Sequence, residues 1–208
     1  MVTVEADVDV VERRLAAGEL SCPACGGALA GWGRARPRRL RGSGGPMRLC
    51  PRRSRCTGCG VTHVLLPVTA LLRRADAAGV IVSALAAKAS RPVGFRRIAS
   101  ELARPAETVR GWLRRFAARA EAVRSVFTVW LAAVDADPVM PEPAGGPVAD
   151  AVTAIAAVAA AVTERFVLPT VPLAVAAVAI SGGRLLVPDW PQARVQHELT
   201  LPPRPLRP

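Results

Sequence analysis

Tyrosine is absent from this 208-residue chain, and lysine occurs once, at Lys88. Ala, Arg, Val, Gly and Pro dominate in their place, the composition of a GC-rich coding sequence. Part of the formal charge of +12 is therefore codon bias, and where the charge sits says more than its total. No acidic residue occurs from Leu20 to Ala75, while Arg34, Arg36, Arg38, Arg39, Arg41, Arg48, Arg52, Arg53, Arg55, Arg73 and Arg74 do. Bias alone does not produce that asymmetry, and an unneutralised basic stretch points to a polyanion such as nucleic acid. Met1 to Leu20 is charged and lacks the apolar core and small-residue cleavage site of a secretory signal. The apolar stretch after Val148 is interrupted by Glu164, Arg165, Pro169 and Pro172 before it reaches the roughly 20 residues a bilayer span needs. Export and membrane insertion are not expected, and the reading is of a cytoplasmic, nucleoid-associated protein.

What is present is more specific. Cys22-Pro23-Ala24-Cys25-Gly26 and Cys56-Thr57-Gly58-Cys59-Gly60 each put two thiolates on one tight turn. The following glycine lets the backbone fold back toward the sulfurs. Two such turns face to face make the closed tetrahedral sulfur site of structural Zn²⁺, with Cys22, Cys25, Cys56 and Cys59 as ligands. A disulfide framework would leave one of five cysteines unpaired. Cys50 reads as a spare thiol on the second strand of the hairpin, and His63 as a core residue or one that supports a ligand.

The expected fold is mainly α with a small β zinc ribbon. Residues 1–19 read as an N-terminal extension with a helical turn over Val10 to Ala17, and residues 20–67 as the ribbon. Leu29 to Leu40 and Met47 to Arg55 are its strands, joined by a glycine-rich tip from Arg41 to Pro46. Residues 68–125 read as a homeodomain-like helix-turn-helix domain. Residues 126–147, with their proline-rich stretch, read as a linker, 148–200 as an Ala/Val-rich helical tail with a short strand near Leu185, and 201–208 as a disordered end. In the helix-turn-helix, a helix from Phe95 to Ala103 buries Ile98, Ala99 and Leu102. Pro105 opens a second helix that buries Val109, Trp112, Leu113 and Phe116 at i, i+3, i+4, i+7. Its other face carries Glu107, Arg110 and Arg114.

These residues divide by expected role. Glu107, Thr108, Arg110 and Arg114 are candidates at or near base edges, where arginine can pair bidentately with guanine. Arg96, Arg97, Arg104 and Arg115 are candidate phosphate contacts. On the ribbon, Arg34, Arg36, Arg38, Arg39 and Arg41 form a phosphate-contacting strip with Trp32 as an aromatic platform. A solvated basic surface is the plainer account of the same arginines. The implied partner is double-stranded DNA. No small-molecule substrate is expected, and a homodimer through the C-terminal helices is compatible with the reading.

The cysteine knuckles, Gly31-Trp32-Gly33, Thr62-His63-Val64-Leu65-Leu66-Pro67, Arg96-Arg97-Ile98-Ala99 and Thr108-Val109-Arg110-Gly111-Trp112-Leu113-Arg114-Arg115 together resemble an actinobacterial family. In that family an N-terminal zinc ribbon precedes a transposase-like helix-turn-helix. The resemblance covers residues 20–120 and implies DNA binding, as a transposase-related end-binding module or a transcriptional regulator. Asp135, Asp137, Asp150, Glu164, Asp189 and Glu198 are the carboxylates on offer for Mg²⁺-dependent phosphodiester transfer. They show no recognisable paired spacing, and fewer than 90 residues follow the helix-turn-helix, so a non-enzyme is expected.

Overall fold

Two prolines divide the hairpin that lies between the cysteine pairs. The computed structural model describes residues 1–191. Its strands and helices run β1 (Val2–Val4), α1 (Val8–Ala16), β2 (Leu29–Arg34), β3 (Arg38–Arg41), β4 (Pro46–Leu49), β5 (Arg52–Cys56) and β6 (Thr62–Pro67), then α2 (Ala78–Ser90), α3 (Phe95–Glu101), α4 (Ala106–Ala117), α5 (Ala120–Val134), α6 (Pro147–Arg165) and α7 (Leu173–Ser181). The described residues thus form seven helices and two small sheets. Instead of one long hairpin, β2 pairs with β5 and β3 with β4, in separate sheets. Pro37 and Pro51 lie at the break, where a residue without an N–H cannot continue a ladder. Cys50 falls in that break too, between strands rather than on one.

The first nineteen residues are not an appendage. β1 lies parallel to β6 and gives the larger sheet the order β1-β6-β5-β2. Asp7 caps α1 by accepting from the Asp9 amide at 2.8 Å, and Val11 and Leu15 turn inward. They join Val4, Leu20, Leu29 and Leu65 in a small core around Cys22 and Cys56. A hairpin this short carries too few apolar side chains to cover its own cysteines, and the N-terminal segment supplies the rest.

The helices share one apolar core, which runs from Leu71 to Trp190. Residues 126–134, expected in a linker, are the second half of α5. α5 and α6 lie side by side in the same direction: Asp150 acts on Arg124 near their starts, and Arg165 donates to the Val134 carbonyl at 2.7 Å near their ends. The proline-rich connection 135–146 therefore travels back the length of the pair. By length and composition α6 could cross a bilayer. Here its Ala151, Val152, Ala154, Ile155 and Val158 are buried. Near Leu185 no strand forms; Leu185 and Leu186 instead fill the helical core, and Arg119 and Arg74 donate to the Val187 and Leu186 carbonyls. The expected disordered end, 201–208, lies outside the described residues.

α3 and α4 are joined by the residues 102–105, with Ile98, Ala99, Val109, Trp112 and Phe116 buried. Pro105 precedes the first turn of α4 rather than opening it. Ala103 closes α3 in the left-handed region, at φ 50°, where a Cβ is disfavoured. Ala103→Gly is expected to stabilise the fold by up to about 1 kcal/mol in equilibrium denaturation; a loss of stability would contradict that account of the turn.

Candidate metal centre

The two Cys-x-x-Cys turns have matching backbones. The Gly26 amide donates to the Cys22 carbonyl at 2.8 Å, and the Gly60 amide to the Cys56 carbonyl at 3.1 Å. Gly26 and Gly60 have φ of 73° and 72°, left-handed values that glycine adopts without penalty. The Cys22 amide then bonds the Gly27 carbonyl, and the Cys56 amide the Val61 carbonyl, closing each turn. β2 and β5 carry the turns to the same end of the sheet: Leu29 pairs with Cys56, and the Thr57 amide and hydroxyl both bond the Ala28 carbonyl.

The four sulfurs meet there. All lie within 4.8 Å of one another, with Cys25 to Cys56 at 3.4 Å and Cys22 to Cys59 at 3.8 Å. Four thiolates bonded at about 2.3 Å to one tetrahedral ion stand about 3.8 Å apart. The donor set is closed, all sulfur, and suited to holding an ion in place. Cys22 and Cys56 are buried, while Cys25 and Cys59 face solvent, so the cluster sits at the rim of the small core.

The thiols do not ionise alike. Cys56 is drawn down to about 6, first by the Cys59 amide, which donates to its sulfur at 3.4 Å, and this outweighs its burial. At Cys59 the Val61 amide pulls downward, but the Cys25 sulfur, burial, and the Cys56 and Cys22 sulfurs together push it up to about 12. Several thiolates packed this closely repel one another, and a divalent cation removes that conflict.

His63 stands behind the cluster on β6. It is buried, with Nε2 3.3 Å from Cys22 Sγ and Nδ1 3.1 Å from the Met1 amine. Burial, and secondarily the positive amine, lower its pKa and favour the neutral ring. An acceptor at Nδ1 places the ring proton on Nε2, aimed at the sulfur. His63 orients a ligand rather than replacing one.

The expected DNA contacts scatter more widely. Arg96, Arg110 and Arg114 are exposed, and the guanidinium groups of Arg96 and Arg110 lie 5.6 and 5.8 Å from the centre of the Phe95 ring. Arg110 also pairs with Glu107 at 3.3 Å, and Thr108 is half-buried. Arg97 shares Glu101 with Arg91, and those two arginines, Arg91 first, hold the carboxyl below its ordinary range. Arg115 is half-buried and donates to the Gly111 carbonyl at 3.0 Å.

Arg104 is the clear correction. Its side chain is 11% exposed, and it donates to Asp76 and to the carbonyls of Leu102, Ala103, Arg41 and Gly42. A guanidinium has five N–H donors, and none is left for a phosphate.

On the β side, Arg41 pairs with Asp76 at 2.6 Å, and Glu12 of α1 neutralises Arg52 at 2.6 Å and approaches Arg34 at 4.0 Å. Acids from either side of the acid-free stretch thus fold back onto it. Arg36 and Arg39 are exposed, Arg38 is half-buried, and no ion pair engages them among the described residues. Trp32 is 52% exposed, with the Arg55 guanidinium 4.9 Å from its ring centre. Asp76 and Gly27 escaped the sequence reading. Asp76 had one signal, being the first carboxylate after the acid-free stretch.

The fold and site define a protein with a four-cysteine cluster suited to holding a metal ion, set on a small β module joined to a helical body. No family model matches the chain, and neither a curated protein nor a solved structure does.

A Cβ on Gly27 would stand 3.1 Å from Cys56 Sγ and 3.4 Å from Cys25 Sγ. Gly27→Ala is expected to weaken metal affinity about tenfold or more in chelator competition; unchanged affinity would show that the sulfurs have room to move.

Proposed function

We propose that this chain is a DNA-binding protein built from a zinc ribbon and a helix-turn-helix, acting as a transposase-related end-binding module or a transcriptional regulator without a catalytic domain of its own. Zinc is the ion this reading assigns to the cysteines. A closed four-thiolate site suits its tetrahedral preference and needs no open position for chemistry.

The observation that carries the DNA reading is the outward face of α4. Burial of Val109, Trp112 and Phe116 turns Glu107, Arg110 and Arg114 to solvent, with Arg96 of α3 beside Arg110 over Phe95. A short helix, a four-residue turn and a second amphipathic helix with a basic outer face make the arrangement by which a helix enters the major groove. Arg110 is the candidate for bidentate pairing with guanine, its ion pair with Glu107 being exposed and easily exchanged. The resemblance to ribbon-plus-helix modules at the start of insertion-sequence transposases supports the same reading.

Selection of bound duplexes from a random pool, repeated at two salt concentrations, tests it. A consensus is expected to emerge, and affinity to fall steeply with salt. Arg110→Ala is expected to lower affinity for that consensus by about 1–3 kcal/mol and to relax preference at one position. A pool that yields no consensus, or an Arg110→Ala chain that binds the consensus unchanged, would refute the assignment.

A further inference from the structure

Asp76 joins two basic elements that the sequence keeps apart. Its carboxylate is 3% exposed and accepts from Arg41 at 2.6 Å and from Arg104 at 2.7 Å. Arg104 opens the approach to α4, and its far nitrogen also donates to the carbonyls of Arg41 and Gly42, at the tip of the β3–β4 hairpin. The backbone repeats the connection: the Arg41 amide bonds the Ala75 carbonyl at 2.8 Å, and the Ala77 amide bonds the Arg41 carbonyl at 3.1 Å. A hairpin with a glycine-rich tip is in this way fixed beside the N-terminal end of α4.

The two faces of that hairpin differ sharply. Leu40 and Leu49 are buried against Leu66 and Ala70. The other face presents Arg39 and Arg48, which stand directly opposite each other in the register, both exposed. Like charges directly opposite on neighbouring strands destabilise a sheet. Neither arginine is in an ion pair among the described residues, so no directly paired carboxylate offsets the repulsion. A bound polyanion would.

We propose that the β3–β4 hairpin is a wing, and that Arg39 and Arg48 contact backbone phosphates of the same duplex that α4 reads, immediately beside the groove α4 occupies. Asp76 and Arg104 are the rigid joint that sets the distance between wing and helix. The inference rests on the DNA-binding reading. It narrows the expected basic strip to one face of the β3–β4 hairpin, includes Arg48, and gives Arg104 a positioning role in place of a phosphate contact.

The test compares the intact chain with the double variant Arg39→Gln/Arg48→Gln on a selected duplex, by salt titration and hydroxyl-radical footprinting. A matched control, Arg13→Gln/Arg124→Gln, removes the same charge from α1 and α5, outside both the hairpin and α4. For the wing variant, log affinity against log salt is expected to flatten by about 2, because two phosphate contacts are gone. Affinity should fall alike on all sequences, and the protection flanking the α4 segment should vanish while protection under α4 persists. Thermal unfolding of the free variant should not fall, since a repulsive pair has been removed; a lower unfolding temperature would refute the claim that this pair is a cost. An unchanged slope and footprint, or an equal effect from the control, would overturn the wing while leaving the helix reading intact. Failure of the intact chain to bind any duplex in dilute salt would overturn both.

Discussion

Four sulfurs on two turns have to be held at one point, and the N-terminal half of the molecule is arranged around that requirement. Each turn needs a left-handed glycine after its second cysteine, and Gly26 and Gly60 supply it. The pairing of β2 with β5 then brings the turns together, and β6 places His63 behind Cys22. Among the described residues the surrounding core has eight buried side chains, two of them Cys22 and Cys56. So small a core contributes little on its own, and a metal ion held by the cluster would supply folding free energy. β1 and α1 belong to the same logic, since without Val4, Val11 and Leu15 the inner cysteines would face water.

Neutralisation in space, rather than along the chain, decides which arginines are free to act. Arg52 is engaged by Glu12 from before the acid-free stretch, and Arg41 and Arg104 by Asp76 from just after it. The buried Asp76 site costs desolvation, which two guanidinium groups and the carbonyl network around Arg104 offset. Among the described residues, those left without an ion pair include Arg36, Arg39 and Arg48 on the β side and Arg96 and Arg114 on the helices, while Arg110 keeps only an exposed pair with Glu107. The Asp76 joint connects those two groups.

Features set by neighbouring residues were legible in advance. The cysteine spacing announced the four-sulfur cluster, and the i, i+3, i+4, i+7 stripe of Val109, Trp112, Leu113 and Phe116 placed α4 within a residue or two, although Leu113 is only half-buried. Pairings between distant segments were not legible. Nothing local in Val2–Val4 says that it lies parallel to β6, and nothing local in Arg104 says that its donors turn inward to Arg41, Gly42 and Asp76. Pro37 and Pro51 did carry a usable signal for the split hairpin, because proline rarely sits inside a ladder. The boundary expected after residue 125 failed for a different reason. α5 has buried apolar side chains on both sides of that point, and it packs on α6, which arrives only after the proline-rich connection.

Metal content bears most directly on the whole account. Native mass spectrometry of the full chain, followed by circular dichroism before and after chelation, is predicted to find one zinc per chain. Its removal is predicted to unfold the β module while the helices persist. A metal-free chain with an intact β module, or iron in place of zinc, would contradict it.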